Sequence, residues 1–432
     1  MENYRPIANL CSASKIFEKL ILRRINEIQD ENQEDITRNG QHGFKRNRST
    51  LTLSLELQSI IARALDNDDF VLVASLDLSS AFDVVNVGLL LKRMRIIGLP
   101  DDLVNLVRVW LNERCYYVSI GGENSCLFDL LLGTVQGSVL GPVLYAIYVS
   151  PLFDLVPVLA FADDNYNITT NSDKNTLVKD MEKSLEAITK WLKQSGLKVN
   201  DEKTDLCLFY KQDTSAISLK LSESTIKSKS EINVLGVLFD SKLQWSNHIS
   251  KAIQKASKAL NAIKLIRKFF TSKELLQLLT SNYYSVLYYN AEIWQIGALK
   301  RNIKSQLLSA SGNALRVAMH YPSMYISFVD LHRLANRATP EMFCLYRLSL
   351  LLFRTFNEKI PETEWTDLNF SQIIMSRQQH FGIIKQNNLL VGLNILSNRL
   401  HQLNGLITLD WLNLSKNAYK IVCKHKFLTF AG

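Results

Sequence analysis

The sequence predicts a mixed α+β fold, in which helices surround a sheet of apolar strands that carry acidic residues at their ends. Three observations predict it. FVLVASLDL (70–78) is β-branched and almost wholly apolar until Asp77, the pattern of a buried strand. VPVLAFADDNYNIT (156–169) reads as strand, acidic turn, strand. Apolar residues recur at helical spacing over 12–29 and 173–194, and the chain becomes helical from about 246 onward.

The remaining elements follow in order. SASKIFEKLILRRINEIQ (12–29) is a helix with Ser12 or Ser14 as its cap. QHGFKRNRST (41–50) is a basic, polar loop that leads into a helix over roughly 50–65. A helical stretch runs to Gly98, and Pro100 opens another over 101–112. CYYVSI (115–120) and CLFDLLLG (126–133) flank Gly121 and Gly122 like the arms of a hairpin. Gly196 ends the helix at 173–194, LKVNDEKTDLCLFY (197–210) starts a strand pair, and SEINVLGVLFDSKLQW (230–245) adds a strand and turn. Beyond residue 305 no chemical motif stands out, and Trp365 and Trp411 read as core residues.

A chain of 432 residues has room for two or three packed units. With 47% apolar and 21% charged residues, and only 8 Pro and 17 Gly, it is not a disordered or linker-dominated chain. Lys and Arg outnumber Asp and Glu by 50 to 41, and the resulting +9 fits a polyanionic partner. That balance is also common in soluble enzymes without one. The six cysteines, at 11, 115, 126, 207, 344 and 423, form no CxxC pair and no zinc spacing, and read as reduced thiols of an intracellular protein. MENYRPIANL has no basic-then-apolar signal sequence. Residues 130–153 contain no charge and are long enough to span a bilayer, but Gly133, Gln136, Gly137, Gly141, Pro142 and Pro151 interrupt them. They read instead as a buried strand, a glycine turn and a buried helix.

Asp77 at the end of one buried strand, and Asp163 and Asp164 in a turn between two others, share one arrangement. Carboxylates beside an apolar core are costly unless compensated. Mg²⁺ is a natural compensation, because it takes oxygen ligands and is usually held by one or two carboxylates together with substrate phosphates. Two such ions would activate a 3′-hydroxyl and stabilise a leaving pyrophosphate in nucleotidyl transfer. Either motif alone is ordinary: a lone Asp after a strand often caps a helix, and an Asp-Asp pair often sits in a solvated turn. Both motifs in this order, with a glycine turn between them, point to the chemistry.

The motifs then carry a resemblance. ENYRPIANLCSASKIFEKLILRRI (2–25) and QHGFKRNRST (41–50) resemble the two fingers blocks of the reverse transcriptase domain of non-LTR (LINE-type) retrotransposons, particularly jockey-like elements. SLDLSSAFDVVN (75–86), GTVQGSVLGPVLYAIYVSPL (133–152) and FADD (161–164) resemble its first two palm motifs and its catalytic hairpin. SGLKVNDEKTDLCLF (195–209) and VLGVLFDSKLQWSNHI (234–249) resemble the next palm block and the block before the thumb. The match covers about residues 2–300 in the correct order.

The resemblance implies an α+β right-hand polymerase palm (fingers and palm over 1–245), a helical thumb over 246–304 and a helical C-terminal region of unknown role over 305–432. It implies RNA-directed DNA synthesis with an RNA template, a DNA primer and dNTPs, without a membrane. Asp77, Asp163 and Asp164 form the catalytic and metal-binding triad for two Mg²⁺ ions, with Mn²⁺ as a substitute. Phe82 falls where a bulky residue excludes a 2′-hydroxyl; an ordinary core aromatic is the other reading. Gln136 and Gly137 fall at the nucleotide pocket, or in a plain turn. Arg5 matches a fingers arginine that contacts the incoming nucleotide, and Lys45, Arg46 and Arg48 lie in a loop that either meets the triphosphate or is simply solvated. Lys203 is a proton donor to pyrophosphate or a structural residue. Lys251, Lys255, Lys258 and Lys264 track a duplex backbone or form a solvated helix face.

Three departures qualify the match. Asn165 follows FADD where relatives more often carry Thr or another residue, and tolerance there is expected. The match begins almost at Met1, so the fingers are expected to lack their start. An upstream endonuclease domain, expected in the full-length element protein, is expected to be absent from this chain, as is a Cys-rich zinc knuckle. The alternative function is therefore an inactive, truncated remnant that only binds nucleic acid. An RNA-dependent RNA polymerase and a group II intron-type maturase are further alternatives. Nuclear residence is the family's expectation.

Overall fold

The computed structural model describes residues 8, 10–32, 37–78, 81–112, 114–212, 216–221, 224–294, 299–321, 325–357, 373–375, 381–383 and 416–428. Arg5, Trp365 and Trp411 lie outside them. The chain divides into two compact units. The first holds residues 1–53, 70–208 and 214–229, and the second holds 54–69, 209–213 and 230–432.

The first unit begins with α1 (Ser12–Asn32), whose Ile21, Ile25 and Ile28 repeat at helical spacing and are buried. Helix α2 (Thr50–Asp66) starts here and continues into the second unit. Strand β1 (Phe70–Asp77) follows, then α3 (Val87–Ile96), capped by the Asn86 side chain on the Leu89 N–H at 2.9 Å, and α4 (Asp101–Leu111). Four two-residue strands come next: β2 (Cys115–Tyr116), β3 (Ser119–Ile120), β4 (Glu123–Asn124) and β5 (Phe128–Asp129). Pairing of β3 with β4 and of β2 with β5 makes the interrupted hairpin expected around Gly121 and Gly122. The expected buried strand from residue 130 is absent. Leu130, Leu131 and Leu132 are exposed, Leu131 by 80%, and the run is tied down by backbone contacts, the Leu130 N–H donating to the Arg114 carbonyl and Leu132 bridging to Asn86, without an apolar surface to cover its side chains. The buried helix does form, as α5 (Gly141–Val149), followed by α6 (Leu152–Leu155). Among the described residues no helix is long and apolar enough to cross a membrane.

Strands β6 (Val158–Phe161) and β7 (Asp164–Asn171) form the acidic hairpin. Helix α7 (Lys174–Gln194) is capped by Asp173, whose carboxylate accepts the Thr176 N–H at 2.7 Å, and it stops at Gly196, where φ is +70°. Strands β8 (Asp205–Phe209), β9 (Ser218–Leu221) and β10 (Ser224–Lys229) complete a six-stranded sheet in the order β6-β7-β1-β8-β10-β9. Strand β1 lies inside this sheet, and its residues Val71 to Ala74 are all buried, which accounts for its unbroken apolar run. Leu72, Ala74 and Leu76 share one apolar cluster with Leu144 and Ile147 of α5 and with Leu177, Met181 and Leu185 of α7. Each large aliphatic side chain buried there contributes about 1.5–3 kcal/mol.

The second unit opens with the hairpin β11 (Glu231–Val234) and β12 (Val237–Asp240). Its two turn residues, Leu235 and Gly236, are both left-handed, as a tight turn between twisted strands requires. The Asp240 carboxylate accepts the backbone N–H groups of Gln244 and Trp245, and α8 (Ser246–Ile266) begins there. Helices α9 (Ser272–Leu278), α10 (Ser285–Leu287), α11 (Arg301–Ala318), α12 (Phe328–Leu334) and α13 (Pro340–Asn357) follow. A helix over Lys416–Leu428 joins α13, with Tyr419 stacked on Phe353 at 4.3 Å and its hydroxyl donating to the Ser349 carbonyl. The region beyond 305 is not helical throughout, since Ile373–Met375 pairs with Phe381–Ile383 as antiparallel strands.

Glu18 of α1 is a buried carboxylate, 0% exposed, at the start of α5. It accepts the backbone N–H groups of Val139 at 2.6 Å and Leu140 at 3.2 Å, and the Ser14 hydroxyl at 3.1 Å. An anion at a helix N-terminus is favourable, and removing it strands buried donors. Glu18→Ala is expected to lower stability by about 2–3 kcal/mol in urea denaturation, and Glu18→Gln by less than half of that. A change below about 0.5 kcal/mol for the alanine variant would contradict this capping role.

Candidate active site

The two acidic motifs meet through strand register. Strand β1 runs antiparallel to β7 from Phe70 opposite Asn171 to Asp77 opposite Asp164. Residues directly opposite on paired strands have Cβ atoms about 4.5–5.5 Å apart, so the two carboxylates are mounted as neighbours. On its other edge Asp164 pairs with Phe161 of β6, which leaves Ala162 and Asp163 as the two turn residues. Ala162 has φ of +59°, a left-handed conformation that costs an alanine about 1 kcal/mol and that glycine adopts freely. Surroundings must therefore hold the turn.

Those surroundings are two side-chain amides. Gln41, 0% exposed, accepts the N–H of Ala162 at 3.1 Å and of Gly43 at 2.8 Å through Oε1. Asn165, 3% exposed, donates from Nδ2 to the Asp163 carbonyl at 2.7 Å. The tolerance expected at Asn165 thus conflicts with the hydrogen bond that this buried residue makes to the turn.

Burial raises the Asp164 pKa above the ordinary carboxylate value, and the neighbouring charges of Asp163 and then Asp77 raise it further. Clustered anions of this kind suit a divalent cation, which relieves their repulsion and takes oxygen donors. Among the described residues no three His, Cys, Asp or Glu side chains converge as a ready-made cage. A Mg²⁺ site completed by substrate phosphates and water has no need of one. Lys203 stands 3.6 Å from the Asp77 carboxylate, in a short helical turn over Asp201–Lys203. Both side chains are solvent-accessible, so the pair adds little stability.

The other residues singled out from sequence fall as follows. Phe82 is half-buried, stacked on Tyr145 of α5 at 4.3 Å and edge-on to Phe44 at 6.3 Å. Burial and the nearby Asp163 charge push the Tyr145 hydroxyl's pKa up, so it stays protonated. The Gln136 side-chain amide donates to the Asp83 carboxylate at 2.8 Å, while the Gln136 backbone carbonyl accepts the Ala8 N–H. Gly137 has φ of +92°, which explains a glycine there. The turn is docked by Gly133 and Thr134, whose N–H groups donate to the Val85 and Phe82 carbonyls. Lys45 donates to the Arg38 carbonyl and Arg46 is exposed, whereas Arg48 is engaged with His42 at 3.2 Å. In the second unit, Lys251 is paired with Glu231 at 2.8 Å. Lys255 and Lys258 share its face of α8 to within about 40°, but Lys264 is turned about 140° away, so the four make no single stripe.

Sequence reading missed Gln41, Gly43 and Asp83. Two glycines bracketing a buried polar pair, Gly40 and Gly43 around Gln41 and His42, are the signal that the basic loop is not merely solvated.

Residues 1–239 match the family model described as "Reverse transcriptase (RNA-dependent DNA polymerase)". The RNA-directed DNA polymerase from mobile element jockey of Drosophila melanogaster is 29% identical over 59% of this chain and 28% of its own length. The probable RNA-directed DNA polymerase from transposon BS of the same species is 25% identical over 79% of this chain and 38% of its own length. The chain thus spans about a third of these relatives. A solved structure, apo telomerase from Candida tropicalis truncated from its C-terminal domain, covers 52% of this chain and 43% of its own at 17% identity. Its TM-score is 0.38.

The raised Asp164 pKa has a consequence for stability. The folded state holds this proton more tightly than the unfolded state, so stability without divalent cations rises as pH falls from neutral through the raised pKa. Asp164→Asn is therefore expected to melt slightly higher than wild type at neutral pH in chelator, by less than about 1 kcal/mol because solvent screens the group. The difference should vanish in acid. Thermal melts across pH check this, and a variant that melts lower at neutral pH would contradict it.

Proposed function

The chain belongs to the reverse transcriptase (RNA-dependent DNA polymerase) family, and from that premise we propose that it extends a DNA primer on an RNA template as part of a jockey-like non-LTR retrotransposon. The observation that carries this reading is the register that sets Asp77 opposite Asp164, with Asp163 in the adjoining turn. The reaction is attack of a primer 3′-hydroxyl on the α-phosphate of a dNTP, with release of pyrophosphate.

Asp77, Asp163 and Asp164 would hold divalent cations, two Mg²⁺ with Mn²⁺ as substitute, which supply charge neutralisation at the attacking and leaving oxygens. The chain's own residues do the rest. The β1–β7 register positions the carboxylates, and the buried amides of Gln41 and Asn165 hold the turn between them. Phe82, backed by the Tyr145 ring, stands as a rigid wall against a 2′-hydroxyl. Gln136 and Gly137 line the nucleotide pocket, with the Gln136 amide oriented by Asp83. Lys203, beside Asp77, is placed to give a proton to the leaving pyrophosphate. Arg5, Lys45, Arg46 and Arg48 serve the triphosphate, which for Arg48 means leaving His42.

On this reading the first unit contains the palm with part of the fingers of a right-hand polymerase. Residues 246–304 are the thumb, where Lys251, Lys255 and Lys258 follow the duplex phosphates and Lys264 serves a different surface. Nuclear residence and an endonuclease domain elsewhere in the full-length element protein belong to the same reading.

Primer extension by the purified chain tests it, on poly(rA)/oligo(dT) with Mg²⁺ and either dTTP or UTP. Extension with dTTP, weak use of UTP, and loss of at least about a thousandfold in an Asp163→Ala, Asp164→Ala double variant are expected. A folded chain that binds the duplex without extending it would instead be a remnant that only binds nucleic acid.

A further inference from the structure

We propose that Gln41 is a positioning residue for the metal-binding turn, holding through one hydrogen bond the left-handed backbone on which Asp163 and Asp164 are mounted. The inference deepens the polymerase reading and rests on it.

The geometry is specific. Residues 40–42 add themselves to the free edge of β6: the Ala160 N–H donates to the Gly40 carbonyl at 2.8 Å, and the His42 N–H donates to the Ala160 carbonyl at 2.7 Å. That pairing carries Gln41 alongside the end of β6, where its Oε1 takes the N–H of Ala162 at 3.1 Å. The same oxygen takes the Gly43 N–H, so one amide oxygen joins the loop backbone to the turn. Both flanking glycines are demanded by this approach. A Cβ on Gly43 would lie 2.4 Å from the Ala162 nitrogen, and one on Gly40 would lie 2.4 Å from the Val158 carbonyl oxygen. His42 anchors the segment from behind, with one ring nitrogen 2.8 Å from the Thr52 hydroxyl and the other 3.2 Å from Arg48.

Packing alone does not explain a glutamine here. Among the described residues its buried Nε2 has no hydrogen-bond partner, a penalty that Met or Leu would avoid at similar volume. The residue that accepts this penalty supplies an acceptor to the one N–H that a left-handed Ala162 presents outward. The conformation is intrinsically unfavourable for alanine, so the hydrogen bond and the strain offset each other. Without Gln41 the turn relaxes toward ordinary backbone angles, and the carboxylates on either side of the relaxed bond move apart.

The test uses the full chain in four forms: wild type, Gln41→Met, Gln41→Glu, and Gln41→Met combined with Ala162→Gly. Mn²⁺ binding is read by electron paramagnetic resonance well below the melting temperature, alongside dTTP insertion on poly(rA)/oligo(dT). The Met variant is expected to bind Mn²⁺ about tenfold more weakly, the equivalent of one net hydrogen bond of about 1.4 kcal/mol. Its insertion rate should fall by about the same factor, with the KM for dTTP within about twofold, because the turn and not the nucleotide pocket is disturbed. Glycine at 162 adopts the left-handed angle without help, so the double variant should recover most of the lost affinity. The Glu variant keeps the accepting oxygen and should stay within about threefold of wild type. Unchanged Mn²⁺ affinity in the Met variant, no recovery with Ala162→Gly, or an equal loss in the Glu variant would each overturn the proposal. Wild type that binds Mn²⁺ but inserts no nucleotide would sink the polymerase reading, while the Mn²⁺ titrations would still decide the role of Gln41.

Discussion

Asp77 faces Asp164 because β1 and β7 share a single register over the whole length of both strands. Successive side chains on a strand point to opposite faces, so a slip of one residue would turn Asp77 away from Asp164 and place Leu76 in its stead. What forbids the slip is the burial of β1. Val71, Leu72 and Val73 are each fully enclosed, and every one would have to change environment. The apolar core thus does two things at once: it stabilises the sheet and fixes which residue stands at the strand's end. The chemistry of the site depends on a packing constraint several residues away from it.

The same constraint creates a problem that the local structure manages. Three carboxylates lie at one end of the sheet, and burial with mutual repulsion raises the pKa of Asp164. A two-residue turn with left-handed Ala162 adds backbone strain. Two buried amides, from Gln41 and Asn165, answer the strain by hydrogen bonding the turn's N–H and C=O. The repulsion is left in place, as expected of a centre that is completed by cation and substrate rather than by a protein cage. On the proposed polymerase reading, stability is given up where binding of a polyanionic substrate with its ions would recover it.

Much of this was legible in the sequence, for identifiable reasons. Strand β1 announced itself because FVLVASL is almost wholly apolar, and its one charge marked its end. The FADD turn was legible because a short apolar run, VPVLAF, leads directly into its two acidic residues. What escaped were contacts between distant segments. Gln41 reads as a loop residue until it is seen against Ala162, and Gln136 reads as a turn residue until it is seen against Asp83. Hydropathy suggested a buried strand at Leu130–Leu132, yet those side chains lie in solvent, because hydropathy records preference and not the availability of a partner surface. Lys264 shared a helix and a charge with Lys251, but helical phase puts it on another face.

On the proposed polymerase reading, Asp77 and Asp164 act as one metal centre because the sheet register joins them. Calorimetric titration of Mg²⁺ into wild type, Asp77→Asn, Asp164→Asn and the double variant tests it most directly. Carboxylates of one centre are predicted to be strongly non-additive: either single substitution should remove most of the binding, and the second should cost little more. Independent losses that sum in the double variant would contradict the account, because they would mean that the two carboxylates serve separate sites.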